Sequence, residues 1–218
     1  MCEKLTVHTV MRALQSPLPG LQAQLPMAPD PRVLPGDGCE GDARQGAVLL
    51  LLYPREERLF LLLTRRSAYV LRHRGQISFP GGAREPGDAS LWQTALREAA
   101  EEVAVVPEEI RYVGMLTPLY IAASHFEVHP FIGYVPVRPV FAPNDYEVAT
   151  LIEMPLRRLL AEDTKDEEVW VRGGIERRVP LYLYDDHIIW GATAMILCEL
   201  ETLLRAEVDP CASSLSRS

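Results

Sequence analysis

Apolar residues gather into two dense runs, residues 47–53 and 59–64, parted by the charged segment Pro54-Arg55-Glu56-Glu57-Arg58. Short, almost purely apolar runs of this kind predict strands buried on both faces and joined by a turn. Residues 76–79 predict a third short strand, stopped by Pro80-Gly81-Gly82. Over residues 91–105 the period changes to that of a helix, with Asp88 or Ser90 near its start and Pro107 beyond its end. Leu96, Ala100 and Val103 project from one side as a packing stripe, while Glu98, Glu101 and Glu102 share the other at i, i+3 and i+4. Residues 110–116, 128–135 and 148–152 predict further strands and 155–160 a short helix. Residues 179–184 and 187–190 predict a hairpin about Asp185-Asp186, and 192–206 a terminal helix. Strands and helices interleave without an internal repeat, so the predicted class is α/β or α+β.

At the N-terminus, Leu5, Val7, Val10, Met11 and Leu14 give a loose helical period. Residues 16–42 are then punctuated by six prolines (Pro17, Pro19, Pro26, Pro29, Pro31, Pro35) and by Gly20, Gly36, Gly38 and Gly41. That stretch predicts an extended linker or a loop wrapped over the domain. The expected division is a helix and Pro/Gly-rich arm over 1–43, a compact domain over 44–206 and a frayed tail over 207–218.

Composition narrows the function. The chain has 218 residues, with 22 Lys and Arg against 30 Asp and Glu, a formal net charge of −8. An acidic total argues against general nucleic-acid binding and against adhesion to anionic membranes, but not against a small anionic substrate, which senses local charge. Cys2, Cys39, Cys198 and Cys211 have no compact metal spacing and read as reduced thiols. No stretch is apolar for long enough to predict a signal peptide or a membrane span, so the expected location is the cytoplasm. A homodimer is compatible with the chain.

The chemistry concentrates on the helix at 91–105. Three carboxylates on one face repel one another unless a cation sits among them, and hard cations such as Mg²⁺ or Mn²⁺ prefer oxygen ligands. Arg97 stands where it can pair with a neighbouring carboxylate. The plain alternative is a solvated acidic face with an ordinary ion pair. Just upstream, Phe79-Pro80-Gly81-Gly82 leads a strand into two glycines, which lets backbone approach a ligand closely.

Gly82, Asp88, Arg97, Glu98, Ala99, Glu101, Glu102 and Val105 together resemble the signature of the Nudix hydrolase family. There are three departures: Asp88 replaces the usual Glu, eight residues instead of seven separate it from Arg97, and Ala104 replaces a late glycine. The first two are shared by the coenzyme A pyrophosphatase branch. Residues 62–82, 144–156 and 189–197 also resemble that branch, so the likeness covers about residues 44–204. The resemblance implies an α/β/α sandwich with a mixed β-sheet. It implies metal-dependent hydrolysis of the diphosphate in coenzyme A, and of acyl-coenzyme A as a further substrate, to 3′,5′-ADP and 4′-phosphopantetheine. Alternative readings are a Nudix hydrolase of ADP-ribose, NADH or capped RNA ends, and a Nudix-like nucleotide-binding module without catalysis.

On this reading Gly82, Glu98, Glu101 and Glu102 hold Mg²⁺ or Mn²⁺, and either Glu98 or Glu147 takes the proton from the attacking water. Arg97 belongs to the same catalytic group. Arg65, Arg66, Arg72, His73, Arg74 and Gln76 cluster just before the glycines and are candidate substrate contacts, because guanidinium groups match phosphate oxygens. A competing constellation is His125, Glu127 and His129, which a strand would place on one face as a conceivable Zn²⁺ site. A half-exposed strand edge explains the same residues.

Overall fold

The computed structural model describes residues 5–30, 43–69 and 75–208. Two short helices come first, α1 (Val7–Ala13) and α2 (Leu21–Gln24). They are followed by β1 (Arg44–Arg55) and β2 (Arg58–Arg66), the two apolar runs of the sequence. These strands form a hairpin that turns through Glu56 and Glu57, both at positive φ (51° and 60°). Two left-handed residues in succession match the right-handed twist of the strands they join.

Next in the chain are β3 (Ile77–Ser78), β4 (Gly81–Ala83) and α3 (Leu91–Val103). They lead to β5 (Arg111–Met115), β6 (Leu119–Ile121), β7 (Phe126–Tyr134) and β8 (Val148–Pro155). The chain continues through β9 (Lys165–Arg172), β10 (Ile175–Tyr184) and β11 (His187–Trp190) into α4 (Ala192–Val208). The main sheet has eight strands in the order β3-β2-β1-β7-β5, with β8 on β2, β6 on β7 and β4 on β1. It is mixed, because β1 and β7 run parallel while the other pairs are antiparallel. A second sheet, β11-β10-β9, stands apart.

Alternation along β1 explains the layers. Ala47, Leu49, Leu51 and Tyr53 share one buried cluster with Ala95, Ala99 and Val103 of α3, whereas Leu50 and Leu52 share another with Leu197, Leu200 and Leu204 of α4. The apolar run of β1 is therefore sandwiched between helices. At roughly 25 cal/mol per Å² of apolar surface, these two layers supply most of the favourable free energy of the fold.

The sequence pattern is amended in three places. β3 stops before Pro80-Gly81-Gly82 as expected, but Gly81 opens a further strand, β4, which pairs with β1 through Ala47 and Gly82. The buried stripe of α3 is Ala95, Ala99 and Val103 rather than Leu96, Ala100 and Val103. The polar strand β9, absent from the sequence reading, pairs along most of β10.

Residues 16–30 wrap over α4. Buried Glu199 of α4 accepts hydrogen bonds from the Gly20 amide (3.2 Å), the Gln24 side chain (2.9 Å), and the Thr117 amide and hydroxyl (3.1 and 2.6 Å). Four neutral donors satisfy the carboxylate away from water and tie the arm to α4. Val10 and Ala13 of α1 are buried in the same core, while Met11 is exposed. Among the described residues, no helix is long and apolar enough to cross a membrane.

Candidate active site

The site is built where the sheet splits. β2 pairs with β1 only through Arg58–Leu61, opposite Arg55–Leu52, and then diverges, and β4 takes its place opposite Gly46, Ala47 and Val48. Two glycines make that substitution possible. A Cβ on Gly81, whose φ is +155°, would overlap the Ala47 carbonyl and Val48. One on Gly82 would overlap the carboxylate of Glu98 on α3. The small stripe Ala95-Ala99 lets the helix sit this close to the strands.

Ser90 caps α3, its hydroxyl accepting from the Gln93 amide at 3.2 Å. The other end is held from a distance: the Asn144 amide donates to the Glu102 carbonyl at 2.9 Å and the Ala142 amide to the Val103 carbonyl at 3.2 Å. These bonds occupy carbonyls that a helix leaves without intrahelical partners. The helix ends on Ala104 in the left-handed region, φ 58°, the position where the family's glycine would stand.

The three glutamates do not share one environment. The side chain of Glu102 is 3% exposed, that of Glu98 16% and that of Glu101 55%. Arg97 organises the outer part. Its Nε and Nη2 grip both oxygens of Asp88 at 3.0 and 3.1 Å, while Nη1 reaches Glu98 at 3.0 Å and Glu101 at 3.2 Å. Nη2 also donates to the Ala83 carbonyl at 3.1 Å. Asp88 accepts further bonds from the Glu85 amide and the Thr94 hydroxyl, both 2.9 Å. The Arg97 bonds, followed by that amide, hold the Asp88 carboxyl far below its usual range, and Asp88 in turn raises Arg97. The shorter acid thus buttresses Arg97.

The inner part is electrostatically unsatisfied. Burial pushes Glu102 up to about 8, opposed by Arg66 and reinforced by the charges of Glu98 and Glu147. Burial also raises Glu98, with Glu101 and Glu147 adding and Arg97 opposing. Arg66 Nη1 lies 3.6 Å from Glu102, an ion pair too long for a hydrogen bond, and both Glu102 Oε2 and Arg66 Nε are buried without a partner. A buried acceptor without a partner is costly. Two raised carboxylates, an orphaned carboxylate oxygen and a glycine pressed against Glu98 fit a hard divalent cation. Among the described residues, no three such side chains close into a ligand cluster, and Arg97 holds Glu101 outward.

The other candidate residues are distributed as follows. Glu147 stands in the turn closed by its own amide on the Asn144 carbonyl (2.9 Å), and its carbonyl accepts from the Ser67 amide (2.8 Å). Arg65 and Arg66 point to opposite faces of β2: Arg66 faces Glu102, while Arg65 is exposed and donates to Thr150 of β8 at 3.0 Å. The Gln76 carbonyl accepts from the Arg66 amide at 2.9 Å. Arg72, His73 and Arg74 lie outside the described residues. Nothing in the sequence pattern singles out Asn144 as the support of the helix end, although it lies in the same segment as Glu147. Nor does the sequence pattern show an open pocket of about 510 Å³ beside Ala83, lined by Arg44, Gln45, Arg84 and Glu85.

The competing histidine constellation is taken apart by the chain. His125 precedes β7 in the left-handed region, φ 51°, and its Nδ1 bonds the Tyr120 hydroxyl at 2.7 Å. His129 instead pairs with Glu127 at 3.0 Å. The three do not share a strand face.

Residues 43–172 match the NUDIX domain model. A protein of Yersinia enterocolitica described as an uncharacterized Nudix hydrolase, NudL, is 43% identical over 162 residues, which is 73% of this chain and 80% of that protein. A NudL protein of Yersinia pestis, described in the same words, is 41% identical over 179 residues, 82% of this chain and 88% of that one. Among solved structures, a MutT/nudix family protein from Enterococcus faecalis superposes with a TM-score of 0.50 at 15% identity, over 91% of this chain and 73% of the other, a likeness of fold. The carboxylate-bearing helix set over a split mixed sheet is thus carried by a chain that belongs to the Nudix hydrolase family.

Proposed function

We propose that this Nudix hydrolase cleaves the diphosphate bond of coenzyme A, and of acyl-coenzyme A, to 3′,5′-ADP and 4′-phosphopantetheine. The observation that carries the reading is where the two branch-like segments meet. Residues 62–82 bring Arg66 to Glu102, residues 144–156 bring Glu147 within electrostatic reach of Glu98 and Glu102, and the Ser67 amide joins the two segments at 2.8 Å. Segments distant in sequence converge on the same two carboxylates.

Glu98 and Glu102, with Gly82 alongside and Glu101 at the rim, would hold Mg²⁺ or Mn²⁺. A divalent cation there supplies charge neutralisation and polarisation of the diphosphate oxygens. Arg97, locked by Asp88, keeps Glu98 oriented toward the glycine. Arg66 brings positive charge to the inner end of the site, where phosphate oxygens gather. Glu147 accepts the proton of the attacking water, with its turn fixed to the helix end through Asn144. The open pocket beside Ala83 gives room for an arm of a substrate longer than its diphosphate. The acidic whole-chain charge and the thiols fit an enzyme of the cytoplasm acting on a small molecule.

The test is incubation with Mg²⁺ or Mn²⁺ and a panel of coenzyme A, acyl-coenzyme A, ADP-ribose, NADH and a coenzyme A-capped RNA, with products identified by mass. Release of 4′-phosphopantetheine from coenzyme A is expected. Cleavage of ADP-ribose but not coenzyme A would overturn the substrate, and binding without cleavage of any member would favour a non-catalytic module.

A further inference from the structure

Tyr69 and Tyr146 lie on either side of the Ser67–Glu147 junction, and neither is used by the hydrolytic chemistry. Their rings are nearly parallel, inclined by 10° with centroids 6.4 Å apart, yet the residues are 71% and 64% exposed. Aromatic residues left this open bury little apolar area, so their pairing contributes little to folding. Nor is the pair needed to shape the two segments, which backbone bonds already fix. The Tyr69 amide donates to Ser67 Oγ at 3.0 Å and the Tyr146 amide to Asn144 Oδ1 at 3.1 Å. The Ser67 amide on the Glu147 carbonyl, at 2.8 Å, clasps one segment to the other.

The position of the pair points to a ligand. Tyr146 directly precedes Glu147, whose charge acts on Glu98 and Glu102, and Tyr69 follows Arg66 by three residues. A substrate whose diphosphate lay against those carboxylates would have the two tyrosine-bearing turns beside its flanking group. Of the groups that flank a diphosphate in nucleotide chemistry, a planar purine stacks on aromatic faces, while a ribose or an aliphatic amide arm does not.

We propose that Tyr69 and Tyr146 form a stacking platform for the purine of the diphosphate substrate. This rests on the diphosphate hydrolase reading but not on coenzyme A being the substrate, since ADP-ribose and NADH carry the same base. Tyr69→Ala and Tyr146→Ala, with Tyr69→Phe and Tyr146→Phe as controls, are assayed on whichever adenine-containing diphosphate the enzyme cleaves. Calorimetry compares binding of adenosine monophosphate with that of ribose 5-phosphate. Each alanine variant is expected to raise KM by about 10-fold with the loss carried by KM and not kcat, and the phenylalanine variants restore it. The preference for adenosine monophosphate over ribose 5-phosphate falls in step. Unchanged KM and unchanged preference overturn the platform, as does a loss confined to kcat, which would make the tyrosines supports of Glu147. If coenzyme A is left intact while ADP-ribose is cleaved with the same tyrosine dependence, the coenzyme A reading fails and the platform stands.

Discussion

Replacing Glu102 by Gln should stabilise the metal-free protein at alkaline pH while abolishing its response to metal. The wild-type carboxyl rises from 4.5 to about 8 in the fold, so between those values the folded state holds a proton that the unfolded chain releases. A raised folded pKa has a definite sign: stability is fully present below 4.5 and is lost as pH rises through about 8. At about 1.4 kcal/mol per pKa unit, the loss between pH 5 and pH 8 comes to about 3.5 kcal/mol. Gln has no proton to lose and carries no such slope. Its amide leaves Arg66 without a charge partner at every pH, a constant offset that the comparison of two pH values removes. Urea denaturation in chelator at pH 5 and 8 measures the double difference, with the variant gaining on wild type as pH rises. Mg²⁺ at about 100 times its Kd should then add about 2.7 kcal/mol to wild type and nothing to the variant. A difference between the two proteins that stays flat from pH 5 to pH 8 would refute the assignment of Glu102 as a carboxylate strained by burial.

Gly82→Ala sets a methyl against the Glu98 carboxylate, and displacing that group should lower turnover by about 100-fold. Circular dichroism should show the same secondary structure as wild type. Ala104→Gly relieves a left-handed residue at the end of α3 and should raise stability by about 0.5–1 kcal/mol in urea, with activity retained. Asp88→Asn breaks the two-point grip on Arg97 and should cost about 2 kcal/mol at neutral pH. Because the folded pKa of Asp88 is depressed, its contribution is present above the unfolded value of 3.8 and fades as pH falls below it. The gap between wild type and this variant, followed by denaturation at several pH values, should therefore narrow in acid.

Periodicity found the elements whose side chains report burial and missed those defined by backbone. β1 and β2 were legible because every residue between Leu49 and Tyr53 is buried, and such a run admits few other readings. α3 was legible through its acidic face, but its stripe was misplaced: Ala95 and Ala99 give little hydropathy contrast against Ala100, and only the overhead position of β1 selects them. β4 could not be read, since a Gly-Gly strand presents no side-chain pattern and is specified by its close approach to Ala47 and Val48. β9 was hidden because Val169 and Val171 are exposed among acids, leaving pairing with β10 as its only signature. The run of basic residues near Gly82 shows a different limit. Along the chain Arg65 and Arg66 look equivalent, yet alternation on β2 gives one to Glu102 and the other to Thr150.

The split of the sheet links these misses to the chemistry. A continuous β1–β2 ladder would satisfy the backbone better but would leave no place for a glycine under Glu98. By diverging beyond Leu61, β2 carries Arg66 toward Glu102, while β4, inserted in the gap, carries Gly82 to Glu98. The carboxylates are then buried between two strand ends with too little positive charge to settle them, as the raised values of Glu98 and Glu102 record. The net charge of −8 hides this arrangement, because what matters is the placement of two acids where little positive charge is near. Local instability of this kind is sustained by the packed layers on either face of β1, which is why the feature most legible in the sequence, a strand buried on both sides, stands beside the one least legible.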